Sequence, residues 1–476
     1  MESALTSFIS GKNEIRRSFL IMGILITLYC FAMGVLATLI HSCYISTHDL
    51  AIFDQSFWMT VHQGEFFTNT VDTIYHCSFG AHNSPILIIL LPFFLVFQHP
   101  LFFTYAGIIL VGTAAIPLFC ISRTFFDENR SYLIVIVYLL SPAIHGINLY
   151  NFSTICFVPL LFFLCWHGLV SNRWKLYLLA GLLLVLVRED VALLAGMTGV
   201  YGLFFSKNRT GNLKICHLIL IVFALLFAVF SMLVVIPHFS PASSLSSQYT
   251  NNLVENFPLY GKQRAILFTE TFVPLLFIPF AAPEILLVGA FQFLEVFLSP
   301  TYSFLDLQYH YPGMFQPVVI LATLYGLYHI NQRIQIAGRE GWSPYIEYAL
   351  LVGSIIGFVV VSPFIAYATV IPDYLDQKHS EKFNLLDSII AHIPDDAAII
   401  TQDNVIPHLA QRKEAYQYGY HPDADFVIIE TSTGYANYFA SDIHKYQNWT
   451  RLIKKNDIIV LSNPAKPVLQ TYLQGL

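Results

Sequence analysis

Two carboxylic acids just after the first apolar run are the residues best suited to do chemistry. Asp49 and Asp54 lie five residues apart in the segment His48–Pro85, which also holds Glu65, Asp72 and four histidines but no lysine or arginine. Either aspartate could accept a proton from a hydroxyl group, or both could help to bind a divalent cation. The alternative is that they are loop carboxylates that face water or cap a short helix.

The histidines of this segment favour an anion site over a metal site. His82 precedes the short apolar stretch Pro85–Phe97, and polar groups at a helix N-terminus form a natural site for an anion. A simple N-terminal cap is the alternative role for His82. His48, His62 and His76 lack the close spacing of zinc ligands. The sequence therefore assigns no certain cofactor, and a divalent cation stays open.

Three consecutive ionisable residues, Arg188, Glu189 and Asp190, interrupt a long apolar stretch. Charges in such a place are costly, and they usually face a cavity or pair with one another. Arg188 would suit the phosphate group of a lipid, and the alternative is an ion pair with Glu189 or Asp190. All three are candidate substrate-binding residues.

A further polar cluster, Asp306–Tyr311, stands between two apolar runs. Its His310 could bind phosphate or shuttle a proton, because the charge of a histidine changes near neutral pH. An ordinary side chain at the membrane interface is the alternative. We count His310 and its neighbour Tyr311 among the candidate substrate-binding residues.

The composition decides what kind of protein must position these side chains. Of the 476 residues, 56% are hydrophobic and only 11% are charged, whereas soluble domains hold about 25% charged residues. Repeated apolar runs predict a polytopic α-helical membrane protein. No basic patch indicates a nucleic-acid partner. Cys43 and Cys77 could form a disulfide outside the cytoplasm or remain two free thiols.

The distribution of lysine and arginine predicts the topology. Lys12, Arg16 and Arg17 place the N-terminus in the cytoplasm. Pro85–Phe97 is too short to cross a hydrocarbon core of about 30 Å, so we expect an interfacial or re-entrant helix there. With that segment left out, twelve lysines and arginines fall in the N-terminus and inner loops and three in outer loops. Eleven spans follow: Ser18–Ile40, Leu101–Ser122, Ser131–His145, Ser153–Leu169, Leu176–Val187, Val191–Phe205, His217–Pro237, Ala265–Ala281, Glu284–Ser299, Gly313–Ile330 and Tyr348–Ile371.

Charged residues become frequent from Pro372 onward. We therefore expect a transmembrane domain over residues 1–371, with a first outer loop over 41–100, and a small extracytoplasmic α/β domain over 372–476. No glycine-rich phosphate loop indicates a nucleotide site in this second domain. The predicted strands are Ala397–Thr401, Phe426–Glu430 and Ile458–Leu461, and the predicted helices are Lys382–His392 and Val405–Arg412.

Several strings follow one another along the chain: DLAIFDQSFW, HNSPILIILLPFFLVF, LFFTYAGIILVGTAAIPLFCISR, VREDVALL, HYPGM, IPDDAAIITQDNVIPHLAQR and DADFVIIE. Together they resemble the membrane proteins of domain-of-unknown-function family 2079, from about Thr47 to Glu430. Asn83 departs from the pattern, which usually has an aromatic residue there. The family in turn looks like a branch of the GT-C glycosyltransferase superfamily. Those polytopic enzymes take a sugar from a polyprenyl-phosphate carrier on the outer face of the membrane.

The resemblance implies roles for several candidate residues. Asp49 matches the acidic residue of the first outer loop that is essential to transfer, with Asp54 close behind. Arg188, Glu189 and His310 would lie on the side of the membrane where the carrier phosphate binds.

The sequence thus predicts an integral glycosyltransferase of the cell membrane, with a lipid-linked sugar donor and an undecided glycan, lipid or protein acceptor. In an inverting displacement, Asp49 or Asp54 would deprotonate the acceptor hydroxyl on the extracytoplasmic side. Arg188, with His310 or His82, would stabilise the leaving phosphate. A transporter or flippase of lipid-linked sugars and a non-catalytic membrane scaffold are the alternatives.

Overall fold

The computed structural model describes residues 2–206, 211–240, 258–434, 443–466 and 473, which are mostly helical. Up to residue 240 the helices are α1 (Glu2–Ser42), α2 (His48–Trp58), α3 (Ser78–Ala81), α4 (Leu91–Phe94), α5 (Leu101–Thr113), α6 (Ala115–Ser122), α7 (Glu128–Leu139), α8 (Pro142–Leu149), α9 (Phe157–Val170), α10 (Trp174–Val185), α11 (Glu189–Phe204), α12 (Gly211–Phe230) and α13 (Ile236–Phe239). From residue 258 onward they are α14 (Gly261–Phe272), α15 (Pro283–Leu286), α16 (Ala290–Leu298), α17 (Gln316–Ile336), α18 (Ser343–Val361), α19 (Pro363–Tyr374) and α20 (Gln377–His392).

Four stretches of helix in the described residues are long and apolar enough to cross a membrane. They are Arg16–Ser42, Leu101–Ser122, Gly211–Phe239 and Glu340–Tyr374. The pair α7 and α8, bent by 50°, can form a fifth span, and three further apolar helices are shorter. A helical membrane protein is what these lengths require. The predicted number of eleven spans, with the N-terminus in the cytoplasm, stays a prediction.

Prolines explain why several predicted spans are broken helices. A proline inside a helix lacks the backbone N–H and clashes with the carbonyl group four residues earlier. Accordingly α5 ends at Thr113, four residues before Pro117, and α7 ends just before Pro142. The π-helical turn Ser231–Val235 likewise directly precedes the turn that contains Pro237.

The stretch Pro85–Phe97 forms a short helix, as its length predicts. A 3₁₀ turn, Pro85–Leu90, leads directly into α4. The side chains of Ile88, Ile89 and Phe93 are exposed on its surface. An exposed apolar face of this kind suits a position at a membrane interface, and that position stays a prediction.

The C-terminal sheet has the strand order β2-β1-β3-β5-β4, where β1 is parallel to β2 and β3, and β5 is antiparallel to β3 and β4. The sequence predicted three of these strands. It missed β2, which has only three residues, and β4, a charged strand at the edge of the sheet, where lysines are common. The strands are β1 (Ile399–Thr401), β2 (Ala415–Gln417), β3 (Phe426–Glu430), β4 (Thr450–Lys455) and β5 (Ile458–Ser462).

The helix predicted over Val405–Arg412 is wrong. Only a 3₁₀ turn, Ile406–His408, forms there. It stops at Leu409, whose backbone (φ −130°, ψ 6°) is not helical and whose carbonyl group accepts a hydrogen bond from Arg412 Nε at 2.7 Å. The other predicted helix of this region is α20, which begins five residues earlier than the predicted start at Lys382.

Residues just after α1 and in the segment His48–Pro85 complete the core below this sheet. Cys43, Tyr44, Ala51 and Val71 are buried in one cluster with apolar residues of α20 and of the strands. The Tyr44 hydroxyl donates a hydrogen bond to Asp387 Oδ1 at 2.6 Å. The sheet and α2 therefore share one buried core, and the predicted division of the chain at residue 372 stays a prediction.

Candidate active site

A cavity of about 240 Å³ lies beside the first turn of α2. Five of the predicted site residues line it: Asp49, His82, Arg188, His310 and Tyr311. They come from α2, from the loop before the 3₁₀ turn Pro85–Leu90, from the residue before α11 and from the loop before α17. Segments far apart in the sequence thus bring a carboxylate, a guanidinium and two imidazoles around one space.

The loop that carries His310 is fixed by a close backbone contact with α8. A Cβ atom on Gly146 would collide with the carbonyl oxygen of Leu307 and lie 2.8 Å from that of Tyr309. Only glycine allows this approach. The His310 ring then lies beside the ring of Tyr150, with 5.0 Å between the ring centroids.

Asp49 is an accessible carboxylate at the N-terminal end of α2, where a negative charge is favoured. Its side chain is 28% exposed, and its Oδ1 lies 3.7 Å from His48 Nε2. The pKa of Tyr150 is raised well above its ordinary value, because the residue is buried and because its hydroxyl group interacts with Asp49. A carboxylate that lines a cavity beside a tyrosine hydroxyl can accept a proton from a bound hydroxyl group.

Arg188 supplies a fixed positive charge to the same cavity. Its side chain is 3% exposed, and Nε donates to both carboxylate oxygens of Asp190, at 2.7 and 2.9 Å. Nη2 also contacts Asp190 and lies 3.0 Å from Met314 Sδ and 3.8 Å from Glu295 Oε1. Among the described residues, no hydrogen bond engages Nη1. The predicted ion pair with Asp190 forms, and it leaves one donor group for a ligand in the cavity.

Glu189 does not line the cavity but holds a residue that does. Its Oε1 lies 2.6 Å from His82 Nδ1, and its Oε2 accepts a hydrogen bond from the backbone N–H of Asn83 at 2.9 Å. The Asn83 side chain donates to Ser231 Oγ at 2.7 Å. In this structure both carboxylates are occupied by protein groups and position His82 and Arg188, and substrate binding by Glu189 and Asp190 stays a prediction.

His310 is a neutral imidazole at physiological pH. Burial lowers the pKa of His310 to about 3, and the nearby Asp49 carboxylate only partly offsets this effect. Its Nδ1 is buried and has no hydrogen-bond partner within the described part of the chain. A neutral imidazole can donate or accept one hydrogen bond, but it supplies no positive charge for a phosphate.

A family model for predicted membrane proteins, DUF2079, matches residues 40–460. The chain belongs to this family. Its fold is similar to that of ArnT from Cupriavidus metallidurans bound to undecaprenyl phosphate, with a TM-score of 0.56 and 10% identity over 93% of this chain and 98% of that chain. For ArnT of the same organism in the apo state, the TM-score is 0.50 and the identity 10%, over 88% and 93% of the two chains. No curated protein matches.

The structure of this DUF2079 chain does not bring Asp54 to the cavity. The Asp54 residue is 1% exposed and faces the C-terminal region, where its Oδ1 accepts a hydrogen bond from Gln411 Nε2 at 2.8 Å. Burial raises the pKa of Asp54 to about 7, although the bond from Gln411 works in the opposite direction. Asp54 is enclosed by protein, so it has no path to a substrate in the cavity.

Four other cavity residues were not among the predicted site residues. Asp72, Tyr75, Ser153 and Thr154 all line the cavity. Asp72 was visible as one of the four acids of the first segment, and its Oδ1 accepts the backbone N–H groups of Ile74 and Tyr75 at 2.8 and 2.9 Å. Ser153 and Thr154 gave no signal, because a serine and a threonine ahead of an apolar run are ordinary helix caps.

The described residues contain no group of three or more His, Cys, Asp or Glu side chains that could hold a metal ion. Asp49 and Asp72 line one cavity, but the described chain offers them no third carboxylate, histidine or cysteine at ligand distance. Cys43 and Cys77 are free, buried thiols. No disulfide therefore links Cys43, just after α1, to the segment His48–Pro85 in this structure.

Proposed function

We propose that this DUF2079 protein is a membrane glycosyltransferase that moves a sugar from a polyprenyl-phosphate-linked donor to an acceptor. One observation carries the proposal: the accessible carboxylate of Asp49 and the fixed guanidinium of Arg188 line the same cavity. Two things support it: the resemblance of the sequence to the GT-C glycosyltransferases, and the likeness of the fold to ArnT bound to undecaprenyl phosphate, which is a polyprenyl phosphate.

The two charged groups suit the attacking hydroxyl group and the leaving phosphate of a single displacement. Asp49 takes the proton of the acceptor hydroxyl, whose oxygen attacks the anomeric carbon of the donor. The bond from that carbon to the phosphate oxygen breaks, and its electron pair leaves with the polyprenyl phosphate. Arg188 donates from Nη1 to the departing phosphate, which gains negative charge in this step. His82 and Tyr311 supply further hydrogen-bonding groups to the same space.

The size of the cavity fits the head group of such a donor. Its volume of about 240 Å³ is below the roughly 300–1,000 Å³ that is usual for sites that enclose a drug-sized ligand. A sugar phosphate is small enough to enter, whereas the polyprenyl chain must lie outside, along the apolar surface of the helices. The exposed side chains of Ile88, Ile89 and Phe93 provide an apolar surface of this kind.

We place this site on the extracytoplasmic side of the cell membrane. The support is the distribution of lysines and arginines, which favours a cytoplasmic N-terminus and places α2 outside. The sheet of residues 372–476 packs on α2, so it lies on the same side as the cavity. This arrangement would let the C-terminal region contact an acceptor outside the cytoplasm.

The test is transfer by the purified protein in lipid vesicles, with a panel of polyprenyl-phosphate sugars as donors. We expect the wild-type protein to release free polyprenyl phosphate from at least one donor, and Asp49→Asn to lose this activity while it inserts and folds normally. Glu65→Gln is the matched control, because Glu65 is an exposed acid of the same segment outside the cavity. Movement of an intact donor across the membrane without cleavage would contradict the proposal and favour a transporter.

A further inference from the structure

A residue of the C-terminal region reaches the site through His48. Asp403 lies two residues after the end of β1, and its Oδ1 is 3.0 Å from His48 Nδ1. The other ring nitrogen of His48, Nε2, is 3.7 Å from Asp49 Oδ1. One imidazole therefore bridges a carboxylate of the sheet region and the carboxylate that we propose as the catalytic base.

The sheet holds Asp403 in place. Strands β1 and β2 are parallel neighbours, so the residues that follow them meet at one edge of the sheet. Gln417 Nε2 donates to Asp403 Oδ1 there, and the backbone N–H of Asp403 donates to the Tyr418 hydroxyl at 3.3 Å. The Asp403 side chain is only 14% exposed. It therefore has a fixed position relative to His48.

The charges around His48 favour its protonated form. Three carboxylates interact electrostatically with His48: Asp49 in α2, Asp403 after β1 and Asp72 in the loop before α3. Although partial burial works in the opposite direction, these carboxylates raise the pKa of His48 to about 9. A histidine with this pKa carries a positive charge at neutral pH.

We propose that Asp403 is a positioning residue, which keeps His48 as a cation next to Asp49 and so makes the C-terminal region a working part of the transfer site. The inference rests on the proposed function. It goes further by giving residues 372–476 a direct task in the reaction, beyond contact with an acceptor. Asp403 itself does not touch the substrate, because it acts through His48.

The first test measures His48 without any reaction. Histidine side chains of the ¹⁵N-labelled full chain in nanodiscs are titrated by NMR, and the His48 signal is assigned by its loss in His48→Gln. We expect His48 to stay protonated up to about pH 9 and to titrate at lower pH in Asp403→Asn. An unchanged titration in Asp403→Asn would overturn the inference. This result does not depend on finding the right donor, so it stands apart from failure of the proposed function.

The second test uses the active donor of the transfer assay. We expect Asp403→Asn to lower kcat by roughly 10- to 100-fold, as for a slightly misplaced reacting group, with little change in KM for the donor. The alkaline limb of the pH profile of kcat should move to lower pH in this variant. In the double variant, Asp403→Asn should add nothing to the loss of kcat that His48→Gln causes. Independent, additive losses would overturn the inference.

The control is Asp387→Asn, which removes the partner of Tyr44 in the same interface. Asp387 does not contact His48, so this variant should keep the kcat and pH profile of the wild-type protein. If Asp387→Asn and Asp403→Asn had the same effects, Asp403 would only help to dock the C-terminal region, and the inference would be wrong.

Discussion

The two sides of α2 place the same chemical group in opposite surroundings. Asp49 lines the cavity with 28% of its side chain exposed, whereas Asp54 is 1% exposed and bonded to Gln411 of the C-terminal region. Five residues along an α-helix correspond to a rotation of about 140° between the two side chains. One side of the helix therefore faces the cavity, and the other side faces the sheet.

This difference shows that access to the cavity distinguishes a candidate catalytic base from a buried structural carboxyl group. Burial without a cation raises the pKa of Asp54 to about 7, a value that is often found for a general base. By pKa alone Asp54 would be the better candidate. Its Oδ2 is buried and has no hydrogen-bond partner among the described residues, so it cannot exchange a proton with a hydroxyl group in the cavity. A perturbed carboxyl outside a cavity is better explained by packing than by catalysis.

The strongest test of the comparison exchanges each aspartate for its amide. Asp49→Asn should lower transfer by roughly 10²–10⁴-fold, the usual contribution of a general base, with little effect on the melting temperature. Asp54→Asn should keep transfer within a few-fold of the wild-type rate. Initial rates with the same lipid-linked donor measure both. If the losses were reversed, Asp54 would be the base and the cavity beside Asp49 would not be the site.

The second test concerns the phosphate end of the cavity. Arg188→Lys keeps the charge, but a lysine cannot pair with Asp190 through two nitrogens and still direct a third toward the cavity. Removal of one such donor typically lowers kcat by roughly 10²–10³-fold. Arg123→Lys is the control, because Arg123 Nη1 donates to the Phe126 carbonyl away from this cavity. Equal activity of both lysine variants would show that Arg188 only stabilises the fold.

Much of the site could be predicted because its residues interrupt apolar runs. Arg188 and the acids of the first segment stand out for this reason, and five of the predicted residues line the cavity. The family resemblance favoured Asp49, but the residue pattern alone could not decide between Asp49 and Asp54, since helical periodicity separates the two sides of α2 without telling which one meets the cavity. That choice depends on the packing of the C-terminal sheet against α2.

Local sequence patterns could not predict the contacts between residues far apart in the chain. Asp403 meets His48 only because β1 and β2 end beside α2, and no spacing in the sequence encodes that approach. Glu189 was recognised as unusual, yet its pairing with His82 was not, because the two residues are 107 positions apart. In the sheet, the buried strand Phe426–Glu430 was predicted with its observed bounds, whereas the charged edge strand β4 carried no hydrophobic signal.

The third test uses the pH dependence of stability on the sheet side of α2. The pKa of Asp54 is about 7 in the folded protein against an ordinary 3.8, so the folded state binds more protons than the unfolded state between these values. Stability should therefore fall as the pH rises from about 4 to 8, by up to about 4 kcal/mol from this group. Asp54→Asn should therefore gain stability relative to the wild-type protein over this range and melt above it at pH 8.

Thermal melts at several pH values in one detergent measure this effect. Glu65→Gln is the matched comparison, because Glu65 is an exposed acid of the same segment and its replacement should leave the pH dependence of the wild-type protein in place. If the difference in melting temperature between Asp54→Asn and the wild-type protein did not grow from pH 4 to pH 8, Asp54 would not be the buried group responsible.

The smallest expected effect belongs to Tyr44, on the same interface. Its hydroxyl donates to Asp387, which is exposed, and its ring stacks on His408 with 4.1 Å between the ring centroids. Tyr44→Phe keeps the ring contact and loses only the hydrogen bond, which contributes about 1 kcal/mol. We expect the melting temperature to fall by about 2 °C and transfer to stay at the wild-type rate. A loss of transfer at unchanged melting temperature would mean that the two sides of α2 are coupled, because a change on the sheet side would then alter the cavity without destabilising the fold.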